Sequence, residues 1–203
     1  MTEQIEPTDP KRQAIIDAAT RLFLENNYRS VSMDKIAQTA PVSKATLYNH
    51  FDSKNDLVAA VVTKLCSSLL QTISQTFSTK QDVETNLKKI ARELVDLLYS
   101  PEGLAIYRLL IAESYEIPEL GQRAYDSGAR LALDDLQAYL QQLQNGGQFY
   151  IPDTRFAAES FFSLLKGDLL FRCLLGLEPP PNETQKKQLI ESATALFLRG
   201  IRL

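Results

Sequence analysis

Between Arg29 and Lys54 the chain reads RSVSMDKIAQTAPVSKATLYNHFDSK, a stretch that gathers hydroxyl, amide, imidazole and ammonium side chains. Catalysis is a poor use of them. His50 is the only histidine in the chain, and although Asp52 is close by, no nucleophile or oxyanion site accompanies the pair. Polar recognition suits them better. Lys44 can donate to guanine O6/N7 or to phosphate, the Thr46 hydroxyl can bond either, and the Ala45 and Thr46 methyls can touch the thymine methyl. Elsewhere there is no Gly-rich phosphate loop, metal-spaced Cys/His set or carboxylate cluster, so the sequence predicts no catalytic residues, no metal and no cofactor.

Short helices must position these groups. Ser32 precedes Met33-Asp34-Lys35-Ile36-Ala37, where its hydroxyl can cap free N–H groups and Asp34 suits the positive end of the helix dipole. Met33, Ile36, Ala37 and Ala40 give that helix one apolar face. Ser43 caps a second helix, Lys44 to Phe51, whose inward residues are expected to be Ala45, Leu47, Phe51 and part of Tyr48. Ser53, with Asp56 three residues on, opens a third in a capping-box pattern. Two short helices, a tight turn and a third helix start form a helix-turn-helix. The second helix of such a motif enters the major groove of double-stranded DNA, N-terminal residues first. Ser43, Lys44, Ala45 and Thr46 then lie nearest the base edges, Tyr48, Asn49 and His50 face the backbone one turn on, and Lys54 meets a phosphate at a helix start. A helical hairpin using the same caps only for packing is the alternative.

The stretch from Ala14 to about Val62 resembles the DNA-binding domain of the TetR family of transcriptional regulators, through IIDAATRLFLENNYRSVSMDKIA, VSKATLYNHF and SKNDLVAAV. The resemblance implies an all-helical homodimer that binds an operator palindrome and releases it when a small molecule enters the C-terminal domain. It puts Ser32, Ser43, Lys44, Thr46, Tyr48, Asn49, His50 and Lys54 on the family's usual DNA-contact positions. Pro41 departs from the pattern, standing where the turn usually has glycine. Because proline fixes φ near the helical value and lacks an N–H, the turn is expected to avoid a left-handed residue there.

Composition fits a small head on a larger body. The chain has 203 residues, 44% of them hydrophobic, and shows no alternating strand pattern, so an all-α fold of about nine helices is expected. Its net charge of −3 argues against general nucleic-acid coating. Residues 29–54 hold Arg29, Lys35, Lys44 and Lys54 against Asp34 and Asp52, a local net of +2, so binding should be local, dimer-dependent and salt-sensitive. No apolar run approaches the roughly 18 residues of a membrane span, and the N-terminus lacks the apolar core of a signal peptide. Residues 1–10 read as a mobile arm, followed by a DNA-binding domain over 11–56 and an effector-binding and dimerisation domain over 57–203. Lys11 and Arg12 either reach a minor groove or solvate a helix start. Cys66 and Cys173 lie on apolar helical stretches and read as buried thiols of a cytoplasmic protein.

Six further helices are expected, the first over 54–78 as the only covalent link between head and body. The others cover 82–99, a short segment after Pro101, 119–144, 154–176 and 183–200. The last two carry more apolar side chains than one protomer core absorbs. Pairing them with their copies gives a four-helix dimer interface formed by Phe161, Leu165, Leu169, Cys173, Leu189, Ala193, Leu196 and Phe197, a thicker monomer core being the alternative. Region 102–130 and the closing ALFLRGI further resemble the C-terminal domain of AefR-like TetR regulators, which implies control of efflux or stress genes by an apolar or amphipathic effector. Tyr99, Tyr107, Ile111, Tyr115, Tyr125 and Phe162 are the candidate pocket residues, against a reading of plain core. Arg108 and Glu113 would orient a polar effector group, or pair with each other or another charge.

Overall fold

The structure is a computed structural model that describes residues 9–26, 28–74, 82–147 and 149–201, side chains at 66 and 68–74 excepted. Residues 1–8 of the arm expected over 1–10, the end of the helix expected to reach 78 and the Cys66 thiol lie outside them; the arm's last two residues instead open α1, Asp9 as its cap and Pro10 as its first residue. The described residues form ten α-helices: α1 Pro10–Glu25, α2 Met33–Thr39, α3 Lys44–His50, α4 Lys54–Ser74, α5 Val83–Leu98, α6 Pro101–Glu113, α7 Pro118–Ala124, α8 Arg130–Asn145, α9 Thr154–Leu174 and α10 Glu183–Ile201. A π-helical turn, Tyr125–Ala129, joins α7 to α8 without a break, so the long helix expected over 119–144 is one run with a bulge inside it. No helix of the described residues is long and apolar enough to cross a membrane.

Side-chain caps define most of the starts. Asp9, Ser32, Ser43, Ser53, Asp82 and Asp153 each accept the N–H two or three residues on, at 2.9–3.1 Å. At α10 the cap is reciprocal: Asn182 accepts from Gln185 N–H, and the Gln185 side chain accepts from Asn182 N–H.

The chain divides into two compact units, Met1–Leu65 with Leu109–Ala124, and Cys66–Arg108 with Tyr125–Leu203. It therefore passes between them three times: within α4, within α6 and where α7 meets the π-turn. The expectation of a single covalent link is corrected by this, because α6 and α7 carry a segment back to the helix-turn-helix unit.

In the first unit Ile15, Ala19, Phe23, Ile36, Leu47, Phe51, Leu57, Val58, Val62 and Leu120 are all buried. The Tyr28 ring packs against Phe23 at 5.3 Å, and its hydroxyl donates to Asn55 Oδ1 at 2.6 Å. In the second, α5, α8, α9 and α10 enclose Leu87, Ile90, Leu136, Phe161 and Leu165, with the Phe161 and Phe197 rings 4.9 Å apart. Helix α9 is not straight. Gly167 adopts φ 48° and ψ −163°, a conformation that side-chain-bearing residues rarely reach, and breaks the run. Tyr99 serves the break: its hydroxyl donates to the Lys166 carbonyl at 2.8 Å and meets that of Leu165 at 3.2 Å.

Burial pushes the phenols of Tyr28 and Tyr99 up to about 12, the Glu113 charge adding to the effect at Tyr28 and Cys173 at Tyr99. The folded state thus favours the neutral phenol more than the unfolded chain does. That stability is fully present below the ordinary phenol value near 10 and is lost as pH rises through the folded value. The urea midpoint should fall between about pH 10 and 12, and the Tyr28→Phe/Tyr99→Phe variant should show a shallower fall in circular dichroism over that window. An equally steep fall in the variant would assign it to other groups.

Candidate nucleic-acid interface

Helix α3 has seven residues, too few to be stable alone, so its caps and packing decide its existence. Ser43 Oγ accepts from Thr46 N–H at 3.0 Å, and the two hydroxyls lie 2.8 Å apart. Leu47 and the capping residue Phe51 are buried, which points the other side of α3 outward. Ser43, Lys44, Ala45 and Asn49 are exposed, Tyr48 is 43% exposed, and Thr46 and His50 are half-buried. Ala45, expected among the inward residues, faces out; the column formed by Leu47 and Phe51 leaves it no place in the core. On α2, Ser32 is exposed while Met33, Ile36 and Ala37 pack inward.

The turn between α2 and α3 closes as a Schellman motif, with Val42 N–H donating to the Ala37 carbonyl at 3.1 Å. This motif puts its central residue at positive φ, and that residue is Pro41, at φ 22°. The expectation that proline would exclude a left-handed conformation is therefore corrected: the crossing of the two helices sets the turn, and Pro41 bears the strain.

Lys44, His50 and Lys54 already have partners. Lys44 Nζ lies 2.7 Å from Asp34 Oδ1 in the first turn of α2, and this contact raises the lysine pKa. His50 Nε2 lies 3.4 Å from Oδ2 of Asp9, the cap of α1. Lys54 Nζ donates to the Tyr28 carbonyl and sits 4.0 Å from the centre of the Tyr28 ring; burial lowers its pKa. Arg12 lies over the Phe51 ring at 5.1 Å. Asp34 and Asp9 escaped sequence reading as partners because they belong to other helices, although Asp9-Pro10 is a recognisable helix start.

An outward polar helix on a capped helix-turn-helix is a DNA-reading arrangement, and comparison with known proteins agrees. Residues 15–61 match the bacterial regulatory proteins of the tetR family, and residues 85–200 match the AefR-like transcriptional repressor C-terminal domain. The chain belongs to the TetR family.

As a TetR-family protein it is a DNA-binding transcriptional regulator and not an enzyme. The HTH-type transcriptional regulator YvkB of Bacillus subtilis is 28% identical over 195 residues, 95% of this chain and 97% of YvkB. FasR of Mycolicibacterium smegmatis, a transcriptional activator, is 32% identical over 110 residues, 54% of this chain; the match spans about half (49%) of FasR. Among solved structures, the flavonoid-responsive regulator FrrA aligns with a TM-score of 0.79 and 31% identity, covering 95% of this chain and 97% of FrrA.

The eight residues expected around an effector are shared between the two units of this TetR-family chain. Tyr99 and Phe162 are buried in the core of the second unit, and Tyr107 packs against that core half-buried. Arg108 caps the C-terminus of α9, donating from Nη2 to the Cys173 carbonyl at 2.7 Å and from Nε to that of Leu174 at 3.0 Å. Glu113 lies in the other unit, buried, with Arg29 Nε 3.6 Å away. Ile111 and Tyr115 of that unit are 69% and 90% exposed, and Tyr125 is partly exposed at the π-turn. Of the alternatives for these two side chains, pairing with another charge describes Glu113, which meets Arg29, while Arg108 holds backbone carbonyls of its own unit.

The proposed dimer residues divide as well. Phe161, Leu165, Cys173, Ala193 and Phe197 are enclosed by the protomer's own core, Cys173 with its thiol pushed up chiefly by burial. Leu169 and Leu189 are half-buried, and Leu196 is exposed. The apolar groups that α9 and its C-terminal turn leave outside are Phe156, Phe171 and Leu175. Hydrophobic type alone could not tell the two faces apart.

Strain at Pro41 is of order 1–3 kcal/mol, against up to ~1 kcal/mol for the freedom glycine adds to the unfolded chain. Pro41→Gly also restores an N–H that can reach the Gln38 carbonyl in the Schellman turn. The variant should be more stable by about 1 kcal/mol, raising the calorimetric midpoint by ~2–4 °C. An unchanged or lowered midpoint would mean that the turn stores no strain.

Proposed function

We propose that this protein is a cytoplasmic, ligand-responsive repressor that binds a palindromic operator as a homodimer and releases it when a small apolar or amphipathic effector enters the larger unit. The carrying observation is the outward face of α3, whose Ser43, Lys44, Ala45, Tyr48 and Asn49 are exposed around a buried Leu47. Ser32, Thr46, His50 and Lys54 complete the contact set. Lys44 exchanges Asp34 for a base edge or phosphate on binding, and Lys54 turns from the Tyr28 carbonyl toward the DNA backbone.

A palindrome demands two copies, their recognition helices about one DNA turn, ~34–36 Å, apart. The surface for that pairing is the exposed strip of Phe156, Phe171, Leu175 and Leu196, with half-buried Leu189 two turns before Leu196 on α10. An unpaired strip of this kind on adjacent helices favours a two-fold, self-complementary contact. Ligand response is supported by the relation to FrrA, whose name describes it as flavonoid-responsive, and repression by the AefR-like match over 85–200. The effector acts by population shift, favouring a conformation in which α4, α6 and the α7–α8 run hold the two reading heads at a spacing unsuited to the operator.

On DNA taken from upstream of its own gene, a salt-dependent gel shift should reveal specific binding. Lys44→Ala and Tyr48→Ala should each weaken it by at least about fivefold; two unaffected variants would sink the contact assignment. Leu196→Glu should convert the dimer to a monomer in sedimentation velocity and abolish retardation. A dimer that survives this change would move the interface elsewhere.

A further inference from the structure

Glu113 is the one buried carboxylate among the described residues, and the contact set above gives it no task. It ends α6, the helix that brings a segment of the chain back to the helix-turn-helix unit. A buried charge without a counter-charge is costly, and Glu113 finds one in that unit: its Oε1 lies 3.6 Å from Nε of Arg29. The partners are unequal. The Glu113 side chain is 9% exposed and that of Arg29 71%, so a buried anion holds a cation that stands largely in solvent.

Arg29 belongs to the short helical turn Tyr28–Ser30 that leads into α2. The turn is tied down from the start of α4. Tyr28 donates its hydroxyl to Asn55, and Lys54 Nζ donates to the Tyr28 carbonyl, the peptide group that joins Tyr28 to Arg29. Ser32, the exposed cap of α2, stands three residues after Arg29. Lys54 and Ser32 both belong to the proposed contact set, so Arg29 adjoins one of its members and shortly precedes the other. The Glu113 charge acts along the same edge: burial lowers the Lys54 pKa, and Glu113 opposes that shift.

An ion pair between two exposed side chains is weak and orients neither of them. A buried carboxylate is different, because losing its partner leaves an uncompensated charge inside the protein. It therefore restrains the guanidinium it meets. That group carries five N–H donors in a rigid planar fork and serves two anions at once, one on each edge. We propose that Arg29 is a further phosphate contact of the reading head and that Glu113 is its positioning residue, holding the Nε edge while the remainder of the fork meets the DNA backbone. The proposal rests on the DNA-contact reading of the helix-turn-helix and extends it from α3 to the turn before α2.

Fluorescence anisotropy with the full-length protein and duplex DNA from upstream of its own gene, over a series of salt concentrations, tests both roles. Each neutralised phosphate adds ~0.9 to the slope of log affinity against log salt. Arg29→Gln should therefore flatten the slope by about one per reading head and weaken binding about fivefold or more, while Arg29→Lys, which keeps the charge, should retain the slope. Glu113→Gln should weaken binding in the parent and add nothing in the Arg29→Gln background. Lowered melting midpoints with an unchanged salt slope would make the pair structural only and overturn the proposal. Equal losses from Glu113→Gln with and without Arg29 would overturn it too, as would tighter binding by Glu113→Gln, which would show the carboxylate competing with DNA. Arg29→Gln alters a mostly exposed side chain, so an unchanged slope there overturns the proposal even where Glu113→Gln fails to fold. Lys44→Ala, measured alongside, separates the two readings. Loss of binding with Lys44→Ala and none with Arg29→Gln leaves the α3 contacts standing and removes this one; no loss with either removes both.

Discussion

The reading face rests on a helix that cannot form unaided. Seven residues supply too few internal hydrogen bonds to offset the cost of nucleation, so α3 exists through Ser43 at one end and the burial of Leu47 and Phe51 beneath it. That narrow attachment settles which groups are presented. With only one column packed inward, most of the circumference remains outside, and polar side chains can be placed there with little effect on the fold. The same attachment fixes the crossing with α2 firmly enough to hold Pro41 at a positive φ. The turn yields to the packing.

In the free protein the basic side chains of this face are engaged rather than idle. Lys44 has Asp34, His50 has Asp9, and Lys54 has the carbonyl and ring of Tyr28. In the proposed contact set, binding DNA is therefore an exchange of partners. Exposed ion pairs contribute little stability, so exchange at the exposed Lys44–Asp34 pair costs little. The partly buried Lys54 contact is held more firmly. Such exchange weakens attachment to arbitrary DNA and leaves specificity to groups that fit a particular groove, which suits a chain of net charge −3.

The larger unit is built around interruptions. Gly167 breaks α9, a π-turn precedes α8, and Tyr99 and Arg108 supply donors to carbonyls that the break and the end of α9 leave unmatched. Unbroken helices packed along their whole length would resist deformation. A kink held by one phenol and a helix end held by one guanidinium have fewer contacts to rearrange. The chain runs between the units inside α4 and α6 and at the end of α7, so a rearrangement in the body has three covalent routes to the head.

The sequence alone determined what depends on neighbours in the chain. The hydroxyl caps at Ser32, Ser43 and Ser53, the apolar column of α4 and the ends of α5 and α10 were all legible, because capping and helical periodicity act over three or four residues. The outward character of Lys44 and Asn49 followed from the same local pattern. Tertiary structure decided the rest. Phe161 and Phe197 became core while Phe156 and Leu196 stayed outside, although all four are apolar residues on the same two helices. Arg108 and Glu113, five residues apart on one helix, found partners in different units. Hydrophobicity and charge specify that a side chain needs a partner, but which partner is set by long-range packing, and that depends on where other helices lie.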